Sequence, residues 1–460
     1  MRQHHRMSTR RGLVTGLGTI AVLALMAGCV NGGGSEGPPE DEVESFDWRN
    51  YEGSELNLLF NEHPLANALS AQLPEFEDLT GIDVTLETLT ETDYMVRVLT
   101  ELQAGSSDYD VLMTSQPMNY QYAAAGWLEE LDPWVEDERY TAPDWDFDDF
   151  FDAAIASQRW DTTEWGGAGE GSLWALPANE EGYALFYRQD ILEDAGVEVP
   201  QTIDELIEAA ERLDGYEFEG QTVSGFVSRG DRTFPTLNPF STFFLAHGAV
   251  DIVDGQAAIN SPESIAATQQ WVDLMSHAPQ AAATYTWYEA QQDFLAGNAA
   301  FYIDADHMAP DFEREGSNIA GKVGYALPPE GPAGRGSSMW IWSLGMNAHS
   351  EDKGAAWLFM QWATSKEVMT EAIDHGNMNP TRVSVAEGPE MSAATEDWGD
   401  YNEVWQEILH EYAEWAYSPS ATWTEAGDIW ATAIQSAVLG QESVEDALND
   451  AAERIDAVIE

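Results

Sequence analysis

The sequence predicts an α/β protein of two lobes, and two observations carry that expectation. Strand and helix signals alternate along the chain, which favours parallel pairing with helices on both faces of a sheet. Roughly 410 residues follow the N-terminal segments, enough for two domains or lobes. Leu56–Phe60 is a short apolar strand, followed by a helical face at Leu65, Leu69, Leu73 and Phe76 that Gly81 closes. Ile82–Leu86 reads as a second strand, Tyr94–Gln103 as a helix ending at Gly105, and Asp110–Met113 as a third strand. Thr202-Ile203-Asp204-Glu205 is a capping box, with Leu206, Ile207, Ala210 and Leu213 continuing the apolar face. Ala299–Ile303 and Val323–Leu327 read as strands, and the region of Trp357, Leu358 and Trp362 as a helix. Two helices close the chain, one through Ile429, Trp430, Ala433, Ile434 and Val438 up to Gly440, the other from Val444 to Ile459. Ligands of such sheets sit beyond the carboxyl ends of strands, which points to the segments after Phe60, Leu86 and Met113.

The first 28 residues read differently from the body. Arg2, Arg6, Arg10 and Arg11 precede an uncharged run, Gly12–Gly28, of 17 residues. That run falls short of the roughly 20 residues of a spanning helix and suits an export leader. Thr9-Arg10-Arg11-Gly12-Leu13-Val14 resembles a twin-arginine signal, and Met26-Ala27-Gly28-Cys29 resembles a lipobox, with Met where Leu is usual. Cys29, the only cysteine, is then the expected lipidation site; an uncleaved anchor holding a buried cysteine is the alternative. Residues 29–46, rich in Gly, Pro and acids, read as a flexible, self-repelling tether.

Lys+Arg number 19 against 82 Asp+Glu, and the leader holds four of the basic residues and no acid. Such a charge repels itself over a Debye length of roughly 10 Å at 0.1 M salt but only about 3 Å at 1 M. The composition therefore predicts an extreme halophile, read as archaeal. Disorder, the other reading of high net charge, is excluded by 44% apolar content and 18 Trp, which suffice for a large core. Nucleic acid, anionic lipid and anionic ligands are poor partners for this surface. Carboxylate pairs arise by chance throughout so acidic a chain, so only their positions are informative.

Four blocks in order resemble the family 1 extracellular solute-binding proteins of ABC importers. The first is Asp108–Met113 with Ala123-Ala124-Ala125-Gly126-Trp127-Leu128 and Leu131-Asp132. The second runs from Trp174-Ala175-Leu176-Pro177 through Leu185–Leu192, Ala195-Gly196 and Pro200-Gln201-Thr202 to Glu205-Leu206. The third is Phe294–Phe301. The fourth runs from Trp342–Met346 through Ala355-Ala356-Trp357 and Trp362–Ser365 to Asn379-Pro380-Thr381-Arg382. Trp340–Leu344, Tyr302–Ala305 and Arg97–Thr100 look most like the sugar-alcohol binders, whereas Asn179-Glu180-Glu181 departs from their Gly-Glu-Ser type sequence.

The resemblance implies a type II periplasmic-binding-protein fold, with a ligand cleft between two α/β lobes and a hinge of three crossing strands, near Ala178–Gly182, near Pro328 and near Gly376–Pro380. Carried over, lobe 1 is 47–178 plus 328–376 and lobe 2 is 182–327 plus 380–460. It also implies a neutral sugar, oligosaccharide or polyol as ligand, an ABC permease with its ATPase as partner, a monomer on the outer face of the cell membrane, and neither cofactor nor metal.

Candidate ligand contacts combine hydroxyl-binding side chains with aromatic faces. Glu62 and His63 follow the first strand; Thr114, Ser115 and Gln116 follow the third. Arg97 is either a hydroxyl donor or the partner of a nearby acid. Glu180 and Glu181 lie at the first crossing, where the maltose-binding relatives place a sugar-contacting acid at the position of Glu181. Asp304, Asp306 and His307 follow the strand Ala299–Ile303, and Asn238 lies in the Arg229–Pro239 loop. Trp340 and Trp342 share one strand face as stacking platforms, with Trp423 as a second platform. Arg382 at the third crossing is a ligand contact or a structural ion pair. Trp271, Trp357 and Trp362 read as core.

Enzymatic readings find little support. There is no H-E-x-x-H and no G-x-S-x-G at a strand-to-helix elbow, Gly33–Gly37 falling in the tether, and the glycines at 166, 167, 169 and 171 do not lead from a strand into a helix. A secreted glycoside hydrolase, which also combines cleft Trp with carboxylates, is the main rival. A metal binder on the same fold is the third.

Overall fold

The computed structural model describes residues 37–39 and 43–459. The leader, Cys29 and most of the tether lie outside the described residues. Among the described residues ten strands form the main sheet: β1 (Glu55–Asn61), β2 (Asp83–Leu89), β3 (Val111–Thr114), β4 (Leu176–Arg188), β5 (Tyr216–Phe218), β6 (Gln221–Val227), β7 (Ala299–Ala305), β8 (Val323–Ala326), β9 (Ser337–Met346) and β10 (Ala413–Glu414). Their order is β2-β1-β3-β9-β4-β7-β6-β5, with β8 also on β4 and β10 on β9.

The β1/β2, β1/β3 and β6/β7 pairs are parallel, as strands joined through helices should be. The central pairs are not. β9 runs antiparallel to both β3 and β4, and β4 antiparallel to β7 and β8. The reason is connectivity: β4 carries the chain from one half of the sheet to the other, and β9 brings it back. Up to Gly182, β4 pairs with β9; from Tyr183 onward it pairs with β7, and from Leu185 with β8 as well. All but one of its 13 residues are buried. The Asn379 carbonyl accepts the Glu180 amide at 3.0 Å, so the chain near 380 lies against the same strand.

Local chemistry fixes the elements around this crossing. The helix Pro64–Thr80 begins with Pro at its first turn and ends at Gly81, whose φ of 72° is the left-handed conformation that suits a residue without Cβ. The helix Glu91–Ala104 ends the same way at Gly105, with φ of 64°. The Thr202–Glu205 capping box forms at the start of the helix Ile203–Leu213. Trp271 is enclosed by Phe226, Phe240 and Phe243, and Trp357 lies between Trp134 and Trp145, so both are core. Trp362 packs on Phe76 and Phe359. Among the described residues no helix is long and apolar enough to cross a membrane.

Candidate ligand-binding site

Strand alternation places the site on one face of the crossing. Trp340 lies opposite Glu181 and Trp342 opposite Asn179, while Ile341 lies opposite Glu180. Successive strand residues point to opposite faces. Glu181, Trp340 and Trp342 therefore share the front, and Glu180 belongs to the back. On the front is a tight cavity of about 20 Å3, lined by Asn61, His63, Glu91, Glu181, Tyr183, Arg229, Pro235, Asn238, Trp287, His307, Trp340 and Trp342.

Glu181 is the electrostatic centre. His63 caps the helix Pro64–Thr80 by accepting the Leu65 amide at Nδ1, 3.1 Å away. A nitrogen that accepts carries no proton, so in neutral His63 the proton is on Nε2, which donates to Glu181 Oε1 at 3.0 Å. His307 Nδ1 lies 3.2 Å from the same oxygen in ion-pair contact, though off the line for a hydrogen bond. Burial by itself raises the Glu181 pKa, but the charge of His307 and contacts with both histidines outweigh it and hold the group well below the usual range. His307 is raised: burial opposes the imidazolium, and Glu181 overcomes it, with Asp306 and Asp304 behind. His63 is lowered, because desolvation outweighs its carboxylate partner.

Arg229 supplies the donor side. Asp304 grips it through both oxygens, with Nε to Oδ2 at 2.9 Å, and Tyr302 donates its hydroxyl to Asp304 at 2.8 Å. Asp304 thus acts behind the cavity wall, aiming a guanidinium that has five N–H groups to offer. Asn61 Oδ1 and Asn238 Oδ1 are buried acceptors without a partner among the described residues. The aromatic side is a run of rings: Trp340 and Trp342 meet at 5.7 Å, Trp342 and His63 at 5.8 Å, and Trp340 stacks on Phe234 at 6.1 Å and 28°.

Two imidazoles and a carboxylate are a metal-ligand set by type, and their ligand atoms lie within 4.8 Å of one another. The fit fails at His63. A cation at Nε2 requires that atom bare and Nδ1 protonated, which sets Nδ1–H against the Leu65 N–H. The trio fits a proton-bearing brace for Glu181 better than a metal centre.

The profile of the bacterial extracellular solute-binding protein family matches residues 62–370. The chain is 30% identical to an erythritol/L-threitol-binding protein of Mycolicibacterium smegmatis over 95% of its own length and 94% of that protein. The chain belongs to the bacterial extracellular solute-binding protein family. The fold of this solute-binding protein matches maltose-bound MalE3 of T. maritima with a TM-score of 0.76 at 26% identity, covering 88% of this chain and 100% of that one. It also matches an Agrobacterium radiobacter K84 ABC transporter solute-binding protein in complex with ribitol, TM-score 0.78 at 24% identity, covering 88% and 99%.

Of the side chains singled out from sequence, His63, Glu181, Asn238, His307, Trp340 and Trp342 come together around the cavity of the solute-binding protein. The others lie elsewhere. Glu62 points to solvent. Arg97 pairs with Glu101 at 2.8 Å and with the Tyr109 hydroxyl, on the outer side of its helix. Thr114 and Ser115 are interior, and Gln116 uses Oε1 to accept the Ile341 amide. Glu180 is buried behind β4, where desolvation pushes its pKa up to about 8 and Oε2 finds no partner among the described residues. Asp306 accepts the Gly182 amide and an Asn379 N–H, tying the crossing together. Trp423 packs on Phe234, Trp415 and Tyr417. Arg382 is fully buried, donating to the carbonyls of Thr364, Asp146 and Trp145 and lying 4.2 Å over the Phe150 ring.

Sequence reasoning missed Asn61, Glu91, Tyr183, Arg229, Pro235 and Trp287. Two of them left signals. Arg229 is one of few cations in an acidic chain, and Trp287 follows Thr286, three residues before Glu289, in a second capping box.

Proposed function

We propose that this protein captures a small neutral polyol or single sugar unit outside the cell and delivers it, unaltered, to the transmembrane subunits and ATPase of an ABC permease. The M. smegmatis relative named for erythritol and L-threitol supports the ligand class. The observation that carries the reading is the cavity itself. Unpaired buried acceptors at Asn61 and Asn238 face a space that also holds the Glu181 carboxylate, the Arg229 guanidinium and two indoles. Buried polar atoms without partners are costly, at roughly 1–3 kcal/mol each, and ligand hydroxyls relieve that cost. Charges of both signs line the wall, which favours a neutral guest over an ionic one. The cavity is tight, about 20 Å3, so the lobes must part to admit a guest, and a small closed space favours one unit over an oligosaccharide.

In this reading the lobes are 47–178 plus 328–376 and 182–327 plus 380–460, and they close over the ligand by bending at the crossings. Lipidation at Cys29 after twin-arginine export holds a monomer at the outer face of the membrane, and the acidic surface adapts it to molar salt. A thermal-shift screen in about 2–4 M KCl against tetritols, pentitols, hexitols and monosaccharides tests the ligand class, because a ligand that binds the native state raises Tm. No shift with any of them would refute it.

One observation favours a second reading. Glu91 and Glu181 line the same cavity with pKa values displaced in opposite directions, the pattern of a glycosidase acid and its partner. Glu91 is raised by burial, against the pull of Arg229 and a Trp287 hydrogen bond. Release of reducing ends from oligosaccharides that persists through purification would establish hydrolysis and displace the transport role.

A further inference from the structure

The cavity has a larger neighbour. A second chamber of about 350 Å3 adjoins it, walled by Met95, Val96, Thr92, Phe234, Thr424 and Asp428 among others. The two chambers share four wall residues: Glu91, Arg229, Pro235 and Trp287. Trp287 is the largest of these, and three contacts fix it. Its backbone begins the helix Trp287–Leu295, where Thr286 and Glu289 form the capping box. Its ring stacks on Tyr288 with centroids 3.6 Å apart and planes at 28°. Its Nε1 donates to Glu91 Oε2 at 2.9 Å, across 196 residues of sequence. Glu91 itself is the first residue of the helix Glu91–Ala104, so the bond joins the starts of two helices from opposite halves of the sheet. On the inner side the indole meets the His307 ring edge-on at 6.1 Å.

We propose that the Trp287 indole, held by Glu91, is the partition that sets ligand length. With the indole in place, a guest admitted to the tight inner cavity as the lobes open has room for no more than a single polyol or sugar unit, and its far end meets an aromatic wall. Without it the chambers merge, and a guest carrying a second ring can extend over Pro235 and Phe234 into the outer space. That space suits a pyranose: apolar surfaces at Met95, Val96, Phe234 and Pro235 face a C–H side, and threonines at 92, 233, 286 and 424 lie within the same wall for hydroxyls. The inference rests on the polyol and sugar reading above and adds which residue rejects the longer members of that class.

The test is titration calorimetry in about 2–4 M KCl with a hexitol and with the same hexitol bearing one glucosyl unit, on wild type, Trp287→Ala, Glu91→Ala and Glu91→Gln. Wild type should bind the hexitol and reject the glucosyl-hexitol. Trp287→Ala should shift the affinity ratio toward the glucosyl-hexitol by about tenfold or more. Glu91→Ala should shift it in the same direction by freeing the indole, and gives an answer if Trp287→Ala folds poorly. Glu91→Gln, which keeps an acceptor for Nε1, should shift it less than Glu91→Ala. Equal ratios in all four proteins, or wild type binding both ligands equally, would overturn the partition. If wild type binds no polyol or sugar of either length, the functional reading fails first and the partition with it.

Discussion

His63 donates its Nε2 proton to Glu181 Oε1 at 3.0 Å while its Nδ1 accepts the Leu65 amide at 3.1 Å. One side chain therefore caps a helix and orients the central carboxylate of the cavity. The two duties separate by substitution. Asn is also a good cap, so His63→Asn should keep the melting temperature nearly unchanged, whereas His63→Ala should cost about 1 kcal/mol from the lost cap. Both variants leave Glu181 resting on His307 alone. Each should weaken polyol binding about tenfold or more in calorimetry. Full affinity in His63→Asn would show that the brace does nothing for the ligand.

Trp340 and Trp271 are both buried tryptophans, but only Trp340 faces the cavity. Trp340→Ala should weaken binding by roughly 1–3 kcal/mol, with the protein still folded. Trp271→Ala, made within a ring of phenylalanines, should cost about 3–5 kcal/mol of stability and leave affinity alone wherever the variant is folded. Calorimetry paired with denaturant unfolding separates the two effects.

Behind the sheet, Glu180 is a carboxyl that burial pushes to about 8 from an ordinary 4.5. A raised acid binds its proton more tightly folded than unfolded, so its contribution is present below about pH 4.5 and fades as pH rises toward 8. His307, also raised, acts in the same direction above its ordinary 6.5. Glu180→Gln mimics the protonated group at every pH. It should match wild type near pH 5 and melt at a higher temperature near pH 9; identical melting profiles across that range would contradict the assignment.

Arg382 lies away from the cavity and satisfies three backbone carbonyls within the core. Arg382→Ala strands those acceptors and the Asp149 carboxylate. It should cost about 3–5 kcal/mol by chemical denaturation. Ligand affinity should be unchanged under conditions where the variant is folded.

Periodicity made the outer strands and their helices legible, because each element buries one regular face: Leu65, Leu69 and Phe76 in one helix, Ile429, Ala433 and Ile434 in another. The antiparallel centre was not, since pairing direction depends on where the chain returns and not on local pattern. The site was half legible for a similar reason. Trp340 and Trp342 share a face by period two, and Glu181 follows from the same rule once its partner strand is known. Glu180, its neighbour, is excluded by that rule, but only after the register is fixed. Asn61, Arg229 and Trp287 come from three separate elements that meet only in three dimensions, and none sits in a pattern of its own.

The most direct measurement is titration calorimetry of the wild-type protein in about 2–4 M KCl against neutral polyols of four to six carbons and the matching monosaccharides, with the ligand recovered and identified afterwards. The account predicts saturable one-to-one binding of at least one such ligand, returned chemically intact. Absence of binding across the panel, or recovery of a cleaved or otherwise altered ligand, would contradict it.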